Sequence, residues 1–227
     1  ACNSSKKDPI TETPPPPPPP AGIIKASIAD GYLNGAQVFL DLDNDYTLDD
    51  GEPSAVSGAG GVVSIDTTGI DNPEQYPLVV VATTDTTTDE DTGVKITKDF
   101  SMSAPAGITV VNPITTLIQA KITKAIANGE TLSVEDASAA VATDLGIDQE
   151  DSAKLLDDYL HADNKDTPLA LAIHAIARSV AQHLPADATA LDLTDNPDAF
   201  DSIAQIAATI AEAVHQAIAA GEDPEVI

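Results

Sequence analysis

Aromatic, cysteine and basic residues are all scarce in this chain. Its 227 residues include three Phe, four Tyr, no Trp and one Cys, with ten Lys and Arg set against 37 Asp and Glu. A single Cys cannot close an internal disulfide. So few aromatics leave no stacking face for a sugar, and a glycosidase is unsupported. The formal charge of −27 repels a phosphate backbone, and the one Arg is Arg178, so nucleic-acid binding lacks its electrostatic footprint. No window approaches the ~20 consecutive apolar residues of a membrane-spanning helix.

What is abundant is aliphatic and acidic. At 42% apolar residues the chain can build a core, and its length suits one or two domains. The acidity favours divalent cations and a self-repelling, soluble surface.

The opening Ala1-Cys2-Asn3-Ser4-Ser5, a polar stretch and then seven prolines from Pro14 to Pro20 resemble the mature start of an exported bacterial lipoprotein. That resemblance implies acylation at Cys2, with Ala1 as the last residue of the lipobox. Cleavage before Ala1, leaving a free thiol, and an incidental Cys in a tail are the other readings. The proline run favours polyproline II at ~3.1 Å per residue, a spacer of roughly 20 Å. Order in such a segment would call for a clamp from a neighbouring subunit or partner.

From Gly22 to Val111 short apolar runs alternate with turn residues, which predicts antiparallel strands over Ile23 to Ala29, Ala36 to Asp41, Val62 to Asp66, Leu78 to Thr83, Val94 to Phe100 and Ile108 to Val111. The pattern becomes helical at Asn112-Pro113, a cap followed by Pro at the first helical position, with Gly129 past the end. Further helices are expected from Ser133 to Gly146, from Gln149 to Leu160, from Thr167-Pro168 to Pro185 and from Asn196-Pro197 to Gly221. In the last of these Phe200, Ile203, Ile206 or Ala207, Ile210, Val214 and Ile218 form one apolar stripe. The expected fold class is α+β. A tether over residues 1–21 leads into an Ig-like antiparallel β-sandwich over 22–111, and an α-helical bundle follows over 112–227.

One motif carries chemistry. The segment Asp41-Leu-Asp43-Asn-Asp45-Tyr-Thr47-Leu-Asp49-Asp-Gly-Glu52 places side-chain oxygens at loop positions 1, 3, 5, 9 and 12 and the Thr47 carbonyl at position 7. This is the ligand spacing of a calcium-binding EF-hand loop, with Leu48 as the apolar residue at position 8. Calcium takes six to eight hard oxygens, whereas magnesium usually keeps several waters, so calcium is the expected ion. Position 6 departs from the pattern because Tyr46 stands where the loop normally needs Gly. A solvated acidic turn is the alternative.

The flanks are strand-like. Gly35-Ala-Gln-Val-Phe-Leu-Asp-Leu-Asp-Asn-Asp45, continuing through Asp50-Gly-Glu-Pro53, resembles the calcium-binding B-type repeats of bacterial surface adhesins. Those repeats are immunoglobulin-like sandwiches related to collagen-adhesin B domains. The resemblance spans about residues 23–111 and is concentrated in 36–53. It implies a calcium-stiffened structural module with Asp41, Asp43, Asp45, Thr47, Asp49 and Glu52 as ligands, and it has no counterpart for the helices.

The stretch Asp85-Thr-Thr-Thr-Asp89-Glu-Asp91 lacks a one-loop ligand spacing and reads as a solvated loop, with a second ion site shared with other loops as the alternative. His161, His174, His183 and His215 show no HExxH spacing, and His174 lies one helical turn from Arg178, as in a surface or core-edge pair. No nucleophile elbow, phosphate loop or Cys-His pairing is present.

The expectation is therefore a non-enzymatic, calcium-binding protein of the bacterial cell surface, exported and extracellular or held at the outer membrane by a lipid anchor. It would be a subunit or accessory of an assembly such as a filament or surface layer, with other protein subunits as partners. A solitary surface lipoprotein binding a glycan or protein, and a calcium-dependent enzyme, are the alternatives.

Overall fold

The computed structural model describes residues 22–224. Cys2 and the prolines from Pro14 to Pro20 lie outside the described residues. The fold is mixed, with antiparallel sheets first and helices after them.

Strand β1 (Ile23–Ile28) pairs antiparallel with β5 (Val62–Asp66) and parallel with β10 (Val110–Val111), so the first and last strands of the region are neighbours. A second, wholly antiparallel sheet runs in the order β4 (Ser54–Val56), β3 (Gln37–Leu40), β6 (Leu78–Ala82) and β9 (Phe100–Ala104). Three two-residue strands, β2 (Leu33–Asn34), β7 (Thr88–Asp89) and β8 (Val94–Lys95), make a small third sheet. β5 shows the alternating burial of a half-solvated strand, but every residue of β9 is buried. A strand buried on both faces needs a second layer, and the helices supply it.

Four α-helices follow: α1 (Pro113–Ala127), α2 (Val134–Asp144), α3 (Pro168–Ala181) and α4 (Asp201–Ala219). α1 begins where β10 ends. The Asn112 side chain accepts from the Ile114 and Thr115 amides, and Thr115 Oγ1 accepts from the Asn112 amide, which closes a capping box. Thr115 and Thr116 also donate to the Ser103 carbonyl of β9. At the other end of β9 the Ser101 amide donates to the Pro185 carbonyl at 2.7 Å. Side chains and backbone of the helical region thus bond a sheet edge that would otherwise invite another strand. The buried apolar residues form one cluster that runs from β1 through to α4 without a break at residue 112.

Several expectations are corrected. The strand expected over Val94 to Phe100 is two: β8 stops at Lys95 and β9 starts at Phe100. Between them Lys98 Nζ donates to the Gln182 and Leu184 carbonyls, and Asp99 accepts from the Thr84 amide, so side-chain bonds replace the ladder. The helix expected from Gln149 to Leu160 is a 3-10 segment ending at Leu156, because Asp158 is drawn into bonds with Tyr32 and the Leu160 amide. α4 starts at Asp201, after a turn over residues 197–200, and its N-cap Phe200 makes no side-chain capping bond. Its buried line runs through Phe200, Ala207, Ala211, Val214 and Ala217, whereas Ile218 is exposed.

Candidate metal centre

Strand β3 delivers the chain to Asp41, whose amide donates to the Pro77 carbonyl at 3.0 Å, and the Leu40 amide closes the far end of the loop on the Pro53 carbonyl at 2.9 Å. Loop ends that are pinned on neighbouring strands leave the loop little freedom to lose.

Within this frame the backbone turns onto the carboxylates. Asp41 accepts from the Asn44 amide at 2.8 Å and from the Tyr46 amide at 3.2 Å, and Asp45 accepts from the Thr47 amide at 2.7 Å. Glu52 spans the two ends, accepting from the Leu42 amide at 2.7 Å with one oxygen and from the Asp49 amide at 3.1 Å with the other. The structure brings one carboxylate oxygen from each of Asp41, Asp43 and Asp45 to within 4.8 Å of one another. Oxygens that share a calcium ion at ~2.3 to 2.6 Å lie no more than about 5 Å apart, so this trio fits one coordination shell.

The other expected ligands are placed differently. Asp49 and Glu52 lie outside that group of three carboxylates, with Asp49 exposed and Glu52 half-buried, and Thr47, expected to offer its carbonyl, is exposed. Leu48 at position 8 is also partly open to solvent.

Tyr46 does what its position requires and something more. Its φ of 61° is the left-handed conformation that Gly normally supplies, and Asn44 adopts φ 64° two residues earlier. The Tyr46 side chain is 2% exposed, and its hydroxyl accepts from Gln119 Nε2 of α1 at 3.3 Å. The burial of a large aromatic offsets a backbone cost of roughly 1 kcal/mol. The residue that weakens the motif in sequence thus anchors the loop to the helices.

Six acidic residues and no basic one lie in residues 41–53. Among the described residues, none of the ion pairs involves Asp41, Asp43, Asp45, Asp49 or Glu52. Burial pushes the Asp41 carboxyl up to about 6, against the pull of the two amides that it accepts from. An anion held out of water without a partner cation is costly, and a bound divalent ion is the remedy that its chemistry suggests.

The second acidic stretch is built otherwise. Asp89, expected in a solvated loop, is buried on β7, whereas Asp91 is exposed as expected. α3 brings Arg178 to both and His174 to Asp91. His174 Nε2 is 2.9 Å from Asp91, and the Arg178 guanidinium is 3.4 Å from Asp91 and 3.9 Å from Asp89. The His174 hydrogen bond holds the Asp91 carboxyl below its usual range, while burial raises that of Asp89. Asp85 and Glu90 are elsewhere engaged: the Asp85 carbonyl accepts from Lys95, and Glu90 accepts from the Gly60 amide at 2.8 Å.

The remaining histidines do not converge. His215 Nε2 lies 2.8 Å from the Leu145 carbonyl, His161 pairs with Asp163, and His174 stacks on Tyr159 with ring centroids 5.3 Å apart. Among the described residues no helix is long and apolar enough to cross a membrane. No family model, curated protein or solved structure matches the chain.

Proposed function

We propose that this chain is a non-enzymatic, calcium-braced structural protein of the bacterial cell surface, and that its strand region is an Ig-like sandwich of the kind the B-type repeats use. The observation that carries this reading is the convergence of Asp41, Asp43 and Asp45 in a loop with no basic residue of its own. Calcium there would tie β3 to the turn before β4 and neutralise the buried Asp41. Thr47, Asp49 and Glu52 would complete the shell by small movements as the ion loads.

Calorimetric titration of the full chain tests the ion. One calcium per chain, with magnesium a weak competitor and Asp43→Asn plus Asp45→Asn abolishing the heat, is the expected result. An absence of heat in the wild type refutes it.

The surface role rests on the lipoprotein-like opening and the proline spacer. In this reading Cys2 carries a lipid, and residues 1–21 lie along a neighbouring subunit as an added extended segment. Deleting residues 1–21 should then abolish association and leave a folded monomer. Association that survives the deletion would end the assembly reading without touching the calcium site.

A further inference from the structure

We propose that the cavity enclosed by α1, α2 and the first half of α4 binds an amphiphilic amine, its apolar body inside and its ammonium group among the acids of the rim.

The cavity follows from how the helices pack. α4 lies chiefly on α3 and touches α2 little, so a gap is left between α4 and the α1–α2 pair. The side chains that face the gap from α1 and α4 include Ala120, Ala204 and Ala207, which are too small to close it. The space measures about 330 Å³, within the range of about 300 to 1,000 Å³ that ligand pockets occupy. Leu117 and Phe200 add apolar wall, and Ala120, Leu132 and Ala204 are half-buried, so a ligand reaches them from solvent. Water has little to bond inside: among the described residues, no side chain that lines the cavity carries a buried polar atom without a partner. An apolar body that covered these walls would be stabilised by the surface it removes from water.

The rim sets the charge of the ligand. Its two cations are already met: Lys121 Nζ lies 2.7 Å from Asp144, and Lys124 Nζ lies 3.0 Å from Asp198 and 2.7 Å from Asp201. Glu130, exposed on the lip between α1 and α2, joins no ion pair among the described residues. Two lysines thus stand against four acids, in a chain whose formal charge is −27. A carboxylate headgroup would have to displace an acid from its lysine and then face the remaining acids. An ammonium group meets Glu130 and the surplus acid around Lys124. An uncharged headgroup meets neither attraction nor repulsion.

The test is calorimetric titration of the full chain, at neutral pH and physiological salt, with n-octylamine, n-hexylamine, n-octanol and octanoate. The expected result is one n-octylamine per chain. n-Hexylamine should bind about tenfold more weakly, since each methylene withdrawn from water is worth about fourfold. n-Octanol should bind a few-fold more weakly than n-octylamine, and octanoate more weakly again, on the scale of exposed charge interactions. Ala204→Leu, and Ala120→Leu from the facing helix, should each fill the space and lower n-octylamine affinity by about tenfold or more. Glu130→Gln, an exposed change that leaves the core intact, should narrow the advantage of the amine over the alcohol. An absence of saturable n-octylamine binding up to millimolar concentrations overturns the proposal. Octanoate that binds as tightly as the amine, or unchanged affinity in both filled variants, overturns it equally. Binding that appears only after residues 1–21 are deleted would assign the cavity to that segment of the chain and overturn it as well.

Discussion

The molecule contains two acidic loops that differ in where their countercharge comes from. Asp89 and Asp91 face α3, which supplies Arg178 and a histidine from within the chain. Among the described residues Asp41, Asp43 and Asp45 make no ion pair, and the loop's own amides are the donors turned onto them. A carboxylate cluster with internal cations is a structural joint, whereas one without them is a candidate site for an ion from solution. Acidity alone does not separate the two.

The comparison can be broken at the residue that joins the metal loop to the helices. Tyr46→Ala should cost about 3 to 5 kcal/mol of stability in denaturant unfolding, the usual penalty for emptying a buried aromatic site. Tyr46→Gly restores the loop's customary residue but deletes the same anchor. It should keep calcium binding while losing comparable stability, so the ion site and the anchor separate in a single variant.

Next in size is the ion. At a hundredfold excess over its Kd, calcium should raise stability by about 2.7 kcal/mol, and Asp41→Asn should remove that gain. The Asp89 and Asp91 joint should be indifferent to chelator, which sharpens the contrast between the loops.

Arg178→Met strips the joint of its permanent cation. The guanidinium is about a third exposed, so the loss should be modest, about 1 kcal/mol, and larger at low salt. Salt dependence of the unfolding midpoint measures it.

A separate effect is one of pH. Burial, with Asp89 nearby, pushes the Asp30 carboxyl in the fold from its ordinary 3.8 up to about 8, so between those values the native state holds a proton that the unfolded chain has lost. Stability should therefore fall as pH rises from about 4 to about 8 and flatten beyond. In Asp30→Asn this part of the slope should vanish, as unfolding midpoints across that pH range would show.

Much of the fold was legible because its signals are local. The Asn112-Pro113 and Thr167-Pro168 starts, the Ser133 cap and the Gly129 and Gly146 ends were all recognisable, since each cap bonds to residues within a turn or two of itself. The strands of two or three residues, β2, β4 and β7, were not, because pairing across the sheet rather than any periodicity defines them. The break between β8 and β9 depends on Lys98 reaching carbonyls 84 and 86 residues away. At the metal loop the trio of aspartates could be read from spacing alone. The role of Tyr46 could not, since its partner Gln119 lies 73 residues on. The surroundings of Asp30 carry no local signal: Asp30, Asp89 and Arg178 meet only once the helices have packed.

The most direct test of the central claim is the melting temperature of the full chain in chelator and then in excess calcium, with magnesium as control. A calcium-specific rise that disappears in Asp43→Asn plus Asp45→Asn is the predicted result. An identical melting temperature in chelator and in calcium would contradict the account.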